Sequence, residues 1–436
     1  METRPQPAED GATPLPAPCF QLAHLQGLSA SQLQVAAAKA GLPERAGMDR
    51  QSLVFALQTH RVSPESIGTA EGILDVRAEG FGFLRSPHHH YRAGADDVYL
   101  SRSQVRSLGL RAGQRISGLI RPPRTGEGYF AMIRVESVED APIGTHKMRT
   151  QFDQLTPVLP RRRLPLAFPN APTDLRAIDL LVPIGHGQRL VVQAPPASGR
   201  IDILSHIAGA VLHNDQETHV VLLMVDQRPE ELTDLVRKHG PNPRATVFAT
   251  VFDEPPERHG EVMQLAHARA RALVEAGNDV VLLVDGLTQL ARAFNTTVPH
   301  SGKIISPGLD AAALQPPKSL LASARQTEEG PALTVVATLL TGTDSQLDER
   351  VAEELSGKAN ARIDLNADLV AKHIYPGVHV ERSCTRREGL LVSPDELRRT
   401  RRLRDSLMGL PPEAALRQLL DRIESTPNNA DLLAQY

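Results

Sequence analysis

The sequence predicts a multidomain α+β protein: an N-terminal helical subdomain, an OB-type β-barrel and an α/β core on a parallel sheet. Three observations predict this. Between residues 70 and 138, five short β-type runs are separated by Gly, Pro and Asp, the spacing of a small barrel. From residue 176 onward, continuous apolar runs alternate with helical stretches, as in a buried parallel sheet with crossover helices. The 436 residues are enough for two or three cores.

Residues 1–20 carry Pro5, Pro7, Pro14, Pro16 and Pro18 and read as a disordered tail. Residues 21–66 read as the helical subdomain. Ser29 or Ser31 caps a helix ending at Gly41, Asp49 caps a second bearing Leu53 and Leu57, and Pro64 closes the segment. The barrel runs are Gly72–Val76, Phe81–Leu84, Val98–Leu100, Arg115–Ile120 and Tyr129–Val135. Residues 141–175 are rich in Pro and Arg and read as a linker, with Arg161, Arg162 and Arg163 available for phosphate contacts. Within 176–436 the predicted strands are Val191–Ala194, Val220–Val225, Thr246–Thr250, Val280–Val284 and Leu333–Leu340, followed by C-terminal helices. Ligands are expected beyond the C-terminal ends of such strands.

Composition narrows the class. Apolar residues are 41% and charged residues 23%, ordinary for a globular protein. Cys19 and Cys384 cannot form a disulfide framework, no apolar run approaches the ~18 residues of a membrane span, and no signal peptide is visible. A cytoplasmic protein with no membrane partner is expected. The net charge of −3 requires any nucleic-acid contact to come from a local face.

Aromatic residues are only 3% of the chain, so their clustering is informative. In GFGFLRS, Phe81 and Phe83 lie two apart, which on a strand places both rings on one side with Arg85 beside them. Such rings form a platform for stacking bases. Tyr99 and Tyr129 can extend it, and Asp97 and Glu127 can accept from base amino groups. On spacing alone, barrel core is the stronger reading of the two phenylalanines.

A phosphate-binding loop of the GxxxxGK[ST] type holds phosphate on backbone amides, reaches it with lysine and ligates Mg²⁺ through a hydroxyl. After Val191–Ala194 this chain has APPASGRI. Arg200 stands where the lysine belongs and Ile201, which has no oxygen, where the hydroxyl belongs. Asp202 follows in the first helical turn, where its carboxylate competes with phosphate for the positive end of the dipole.

GFGFLRS, DDVYLSRSQVR, ISGLIRPPRTGEGYFAMIRV, VDQRPEEL, FDEPPERH and LARAFNTTVPHSGK together resemble the Rho family of bacterial transcription termination factors, from about Leu22 to about Ile423. The resemblance implies a RecA-like ATPase core. It also implies a primary RNA site, selective for single-stranded pyrimidine-rich RNA, formed by Phe81, Phe83, Arg85, Asp97, Tyr99, Glu127 and Tyr129. The nucleotide site would comprise Pro196, Ser198, Gly199, Arg200, Ile201 and Tyr375. Asp285 matches the Walker B aspartate, able to hold Mg²⁺ through water, and Arg386 matches the arginine finger. Departures from the family pattern are concentrated here: Ala197, Arg200 and Ile201 in the loop, Gln227 for the water-activating glutamate, and His373 for an arginine near the base. Lys303 is retained in the first RNA-gripping loop as a secondary RNA contact. In that loop Pro307-Gly308 replaces a glycine pair, and Gln346 replaces a lysine in the second.

These departures predict an RNA-binding, ATPase-impaired Rho-like protein with no required cofactor, weighing against ATP and Mg²⁺ binding. Its expected role is to modulate, and more specifically antagonise, Rho-dependent termination. Its expected partners are RNA, copies of itself in an assembly smaller or more open than a hexamer, an intact Rho and RNA polymerase. The alternatives are an active RNA-dependent ATPase and helicase, or a purely protein-interacting subunit. Two weaker signals remain. His88-His89-His90 reads as a solvated loop, and Arg398 to Arg404 as a charged helix face with Leu397, Leu403 and Leu407 inward.

Overall fold

The computed structural model describes residues 18–42, 47–143, 150–299, 301–306 and 308–436. The expected tail therefore lies outside the described residues as far as position 17. Phe20–Gln21, assigned to the end of the tail and the start of the helical segment, instead forms a short strand paired in parallel with Gly68 and Thr69.

The two expected helices form as their caps dictate. Ser29 caps Ala30–Lys39 through a reciprocal capping box with Gln32, and the Asp49 carboxylate accepts from the Ser52 N–H at 2.8 Å to start Arg50–Arg61. Leu33, Ala37, Leu53, Val54 and Leu57 are buried and join the core of the barrel. One buried carboxylate ties this subdomain to the barrel. Asp96, 1% exposed, accepts from Gln26 Nε2 (2.8 Å), Gln51 Nε2 (2.9 Å) and His89 Nε2 (3.0 Å). His89 is thus a buried structural residue rather than part of a solvated loop, because its ring is spent on Asp96.

The barrel strands are Gly68–Val76, Gly82–Arg85, Val98–Leu100, Arg115–Arg121 and Phe130–Val138. The first pairs with both the second and the fourth, which closes the sheet on itself. Phe81 falls one residue before its strand. Gly82 is required between the two rings, since a Cβ there would lie 2.7 Å from Leu74 in the barrel interior.

The core sheet runs in the order Ala245–Val251, His219–Gln227, Val280–Asp285, Ala332–Leu340, Arg189–Ala194, Ala361–Asp364, all parallel. All five expected strands are present. Ala361–Asp364 was not anticipated, because ARID is too short and too polar to show an apolar run. Two apolar clusters cover the faces. Leu190 and Val192 point into one and Val191 into the other, the period-2 alternation of a sheet buried on both sides.

The linker expectation fails from residue 152 on. Phe152 is 1% exposed, Pro157–Val158 pairs with Gln326 and Thr327, and Arg163–Leu164 pairs with Ile184 and Gly185. Arg162 pairs with Asp279 at 2.5 Å and Arg163 with Asp179 at 3.0 Å, so two of the three arginines serve the fold rather than phosphate. Among the described residues, no helix is long and apolar enough to cross a membrane.

Asp96 carries a prediction. Burial pushes its carboxyl up, but the hydrogen bonds from His89, Gln51 and Gln26 outweigh burial and hold it below the ordinary range. A depressed folded pKa contributes stability that is complete above the unfolded value of about 3.9 and is lost as pH falls through the folded one. Hydrogen exchange in Arg50–Arg61 should therefore rise below about pH 4. Asp96→Ala, which leaves three donors unpaired, two of them buried, should produce the same loosening at pH 7, costing about 2–3 kcal/mol. Exchange unchanged in the variant would contradict this.

Candidate nucleic-acid and nucleotide sites

The strand pair Gly82–Arg85 and Val98–Leu100 brings Phe83 opposite Tyr99. The Phe81 and Phe83 ring centroids are 5.7 Å apart, Phe81 lies 5.7 Å from Tyr99, and Phe83 lies 4.8 Å from Tyr129. Phe81 and Phe83 are half-buried and stand outside the barrel's apolar cluster, and Tyr129 is 41% exposed. Four rings, three half-buried and one exposed, therefore form one continuous cluster outside the barrel core, the geometry on which successive bases stack.

The polar members divide into two kinds. Arg85 is buried beneath the platform, its guanidinium carbon 5.2 Å from the Phe83 centroid. It donates to Asp75 at 2.7 Å and pairs with Asp97. Asp97 is 2% exposed and also accepts from the Gly94 N–H at 2.7 Å. Burial pushes its carboxyl above the ordinary range, against the pull of Arg85. These two expected RNA contacts are engaged with each other and support the rings from below. Glu127 is exposed but also engaged. It accepts from Arg121 at 2.5 and 2.8 Å and from the Arg124 N–H at 2.9 Å, and the Arg121 hydrogen bonds draw its carboxyl down to about 2. A cleft of about 840 Å³ opens beside Tyr99 and Tyr129, lined also by Arg121, Arg124, Glu127 and Glu65. Arg121, Arg124 and Glu65 were not singled out from sequence. The basic pair was legible in RPPRTGEGYFA, but Glu65 carried no signal.

In the core, strand Arg189–Ala194 leads through Pro195–Gly199 into helix Arg200–Asn214. Gly199 turns the chain at φ 74, which a side chain rarely adopts. Pro196 is exposed, and the Ser198 hydroxyl is buried with no hydrogen-bond partner among the described residues. The decisive group is Asp285, 0% exposed at the end of Val280–Asp285. Arg200 Nε donates to its Oδ1 at 2.8 Å, the Thr338 hydroxyl donates to the same oxygen at 2.5 Å, and Gln227 Nε2 donates to Oδ2 at 2.8 Å. Ile201 packs against the apolar cluster on one face of the sheet. The residues here do not fit a nucleotide-bound Mg²⁺. The carboxylate that would hold the ion is occupied on both oxygens, and the helix start offers it no hydroxyl at position 201.

Residues 70–143 match the family described as Rho termination factor, RNA-binding domain, and residues 174–385 match the ATP synthase alpha/beta family, nucleotide-binding domain. The chain is 40% identical over 428 residues to transcription termination factor Rho of Rhodopirellula baltica, covering 98% of this chain and 82% of that one. It is 42% identical over 393 residues to that of Pseudomonas aeruginosa, covering 89% and 93%. This chain belongs to the Rho family. The core fold is also that of a type III secretion system ATPase (TM-score 0.54, 18% identity, 65% of this chain and 86% of that one) and of the ATP synthase subunit NeqB of Nanoarcheaum equitans (TM-score 0.52, 18% identity, 63% and 71%).

The remaining Rho-family positions lie at the surface. Tyr375 is 57% exposed, and His373 beside it is exposed at φ 57. Arg386 is exposed, and its guanidinium has no partner among the described residues. Lys303 is exposed just before the hairpin Ile304–Ser306/Leu309–Asp310, and Pro307 lies outside the described residues. Gln346 is the exposed first residue of helix Gln346–Ser356. The arginine run is a paired helix face. Arg398 and Arg399 bind Asp395, Arg404 binds Glu388, and Leu403 and Leu407 are buried.

Arg200→Ala should leave Asp285 as a buried, uncompensated charge and destabilise the core by about 3 kcal/mol, the scale of a broken buried pair. Denaturant unfolding of the core, compared with Asp202→Ala at an exposed position of the same helical turn, checks this. Equal midpoints for the two variants would contradict it.

Proposed function

We propose that this Rho-family protein binds single-stranded pyrimidine-rich RNA, cytosine preferred, through its barrel while hydrolysing ATP poorly or not at all. It thereby antagonises termination by occupying the RNA on which an active Rho must load. The observation that carries this reading is the saturation of Asp285 by Arg200, Gln227 and Thr338, together with the four-ring cluster on the barrel. Gln227 cannot take a proton from water as a glutamate would. Loss of one electrostatic group at such a site costs about 10²–10³ in rate, and the changes act on one transition state, so they need not multiply.

Assembly follows from the same site. Nucleotide between subunits stabilises a closed ring by mass action, and without that contribution self-association stops at a smaller or open form. The place of action is the cytoplasm, beside an intact Rho and RNA polymerase. A second reading, an RNA-dependent ATPase and helicase, is favoured by the retained Asp285 and Tyr375 and by the unpaired Arg386.

Added in excess to a transcription reaction driven by an active Rho, this chain should raise read-through at a Rho-dependent site. Phe83→Ala should weaken both read-through and oligocytidine binding, since one stacking contact is worth about 1–3 kcal/mol. Oligocytidine affinity unchanged in Phe83→Ala would remove the RNA-binding half of the proposal. Enhanced termination would reverse its direction.

A further inference from the structure

The two carboxylates that the sequence assigns to base recognition are both engaged. Asp97 lies under the platform in contact with Arg85, and Glu127 accepts three hydrogen bonds from Arg121 and the Arg124 N–H. The cleft beside Tyr99 and Tyr129 has a third carboxylate in its wall, and it comes from outside the barrel strands. Pro64, Glu65, Ser66 and Ile67, the turn that joins helix Arg50–Arg61 to strand Gly68–Val76, line it together with Arg124 and Tyr129.

This turn is held in place. The Ser66 N–H donates to the Ser63 carbonyl at 3.0 Å, the two serine hydroxyls lie 3.1 Å apart, Ile67 is 6% exposed, and its carbonyl accepts from the Cys19 N–H at 2.8 Å. Glu65 itself is exposed and has no hydrogen-bond or ion-pair partner among the described residues. A fixed backbone thus presents a free acceptor to the same cleft that the two tyrosines enter.

Charge decides which part of an RNA this acceptor meets. A carboxylate repels the phosphate backbone, while the neighbouring Arg124, exposed and with no side-chain partner among the described residues, attracts it, Arg121 being paired with Glu127. A strand that ran its phosphates along Arg124 would turn its base edges toward Glu65. On those edges, cytosine offers an exocyclic amino donor where uracil offers a carbonyl oxygen. We propose that Glu65, a residue of the helical subdomain, is a specificity-determining acceptor that favours amino-bearing bases over uracil in this cleft. The proposal rests on the RNA-binding reading above and assigns part of base selection to the junction between the two N-terminal units.

The test is fluorescence anisotropy with oligocytidine and oligouridine of equal length, on the full chain and on Glu65→Gln and Glu65→Ala. Removing a hydrogen bond to a charged acceptor should lower the cytidine-over-uridine affinity ratio about tenfold in Glu65→Ala. Glu65→Gln, which keeps one neutral acceptor, should fall between. Oligouridine affinity should hold or rise, since a repulsive charge is gone. A ratio unchanged in both variants, or an equal gain for both oligonucleotides, would overturn the assignment while leaving RNA binding intact. Failure of the unaltered chain to bind either oligonucleotide would overturn this proposal and the RNA-binding reading together.

Discussion

The core depends on how one buried carboxylate is neutralised. Asp285 ends the strand at the middle of the sheet with no exposed surface, and a lone charge there would cost several kcal/mol. The chain supplies its own cation, Arg200, from the first turn of the helix that follows the loop. Gln227 and Thr338 complete the shell from the two neighbouring strands. One carboxylate therefore joins three strands and a helix start. The substitutions at 200 and 227 belong together in this arrangement. An amide at 227 donates to Asp285, whereas a glutamate there would set a second carboxylate against it. Ile201 then turns to apolar packing, which a metal-ligating hydroxyl would not do.

The RNA-facing barrel follows a different logic. Its buried charges, Arg85 with Asp97 and Asp75, and Asp96 with His89 and two glutamines, fix the strands and dock the helical subdomain. Its exposed surface is left to rings and to arginines around an open cleft. None of this depends on the condition of the phosphate loop. A protein that grips RNA without spending nucleotide is therefore physically consistent.

Much of this was legible in the sequence because long apolar runs leave little choice. Val220–Val225 and Leu333–Leu340 can be little else than buried strands, while FGF with two later tyrosines read as platform rather than barrel core only once the family resemblance was added. What stayed hidden depended on partners distant in sequence. Arg162 and Arg163 read as linker charge until Asp279 and Asp179 are placed beside them. His89 reads as solvated until Asp96 meets it. Asp97 and Glu127 have residue types suited to base recognition, but sequence could not show that Arg85 and Arg121 already occupy them. Arg200 and Ile201 were recognisable as departures, yet their joint consequence appears only when the arginine is seen on Asp285.

The most direct measurement is phosphate release from ATP and Mg²⁺ by the purified full chain, with and without saturating oligocytidine, beside a Rho relative that has the Lys-Thr loop. A self-neutralised Asp285 predicts a rate at least about 10²-fold below that relative, with little stimulation by RNA. Brisk RNA-stimulated release that Asp285→Ala abolishes would show that Arg200 yields the carboxylate to metal, and the closed-site reading would be wrong.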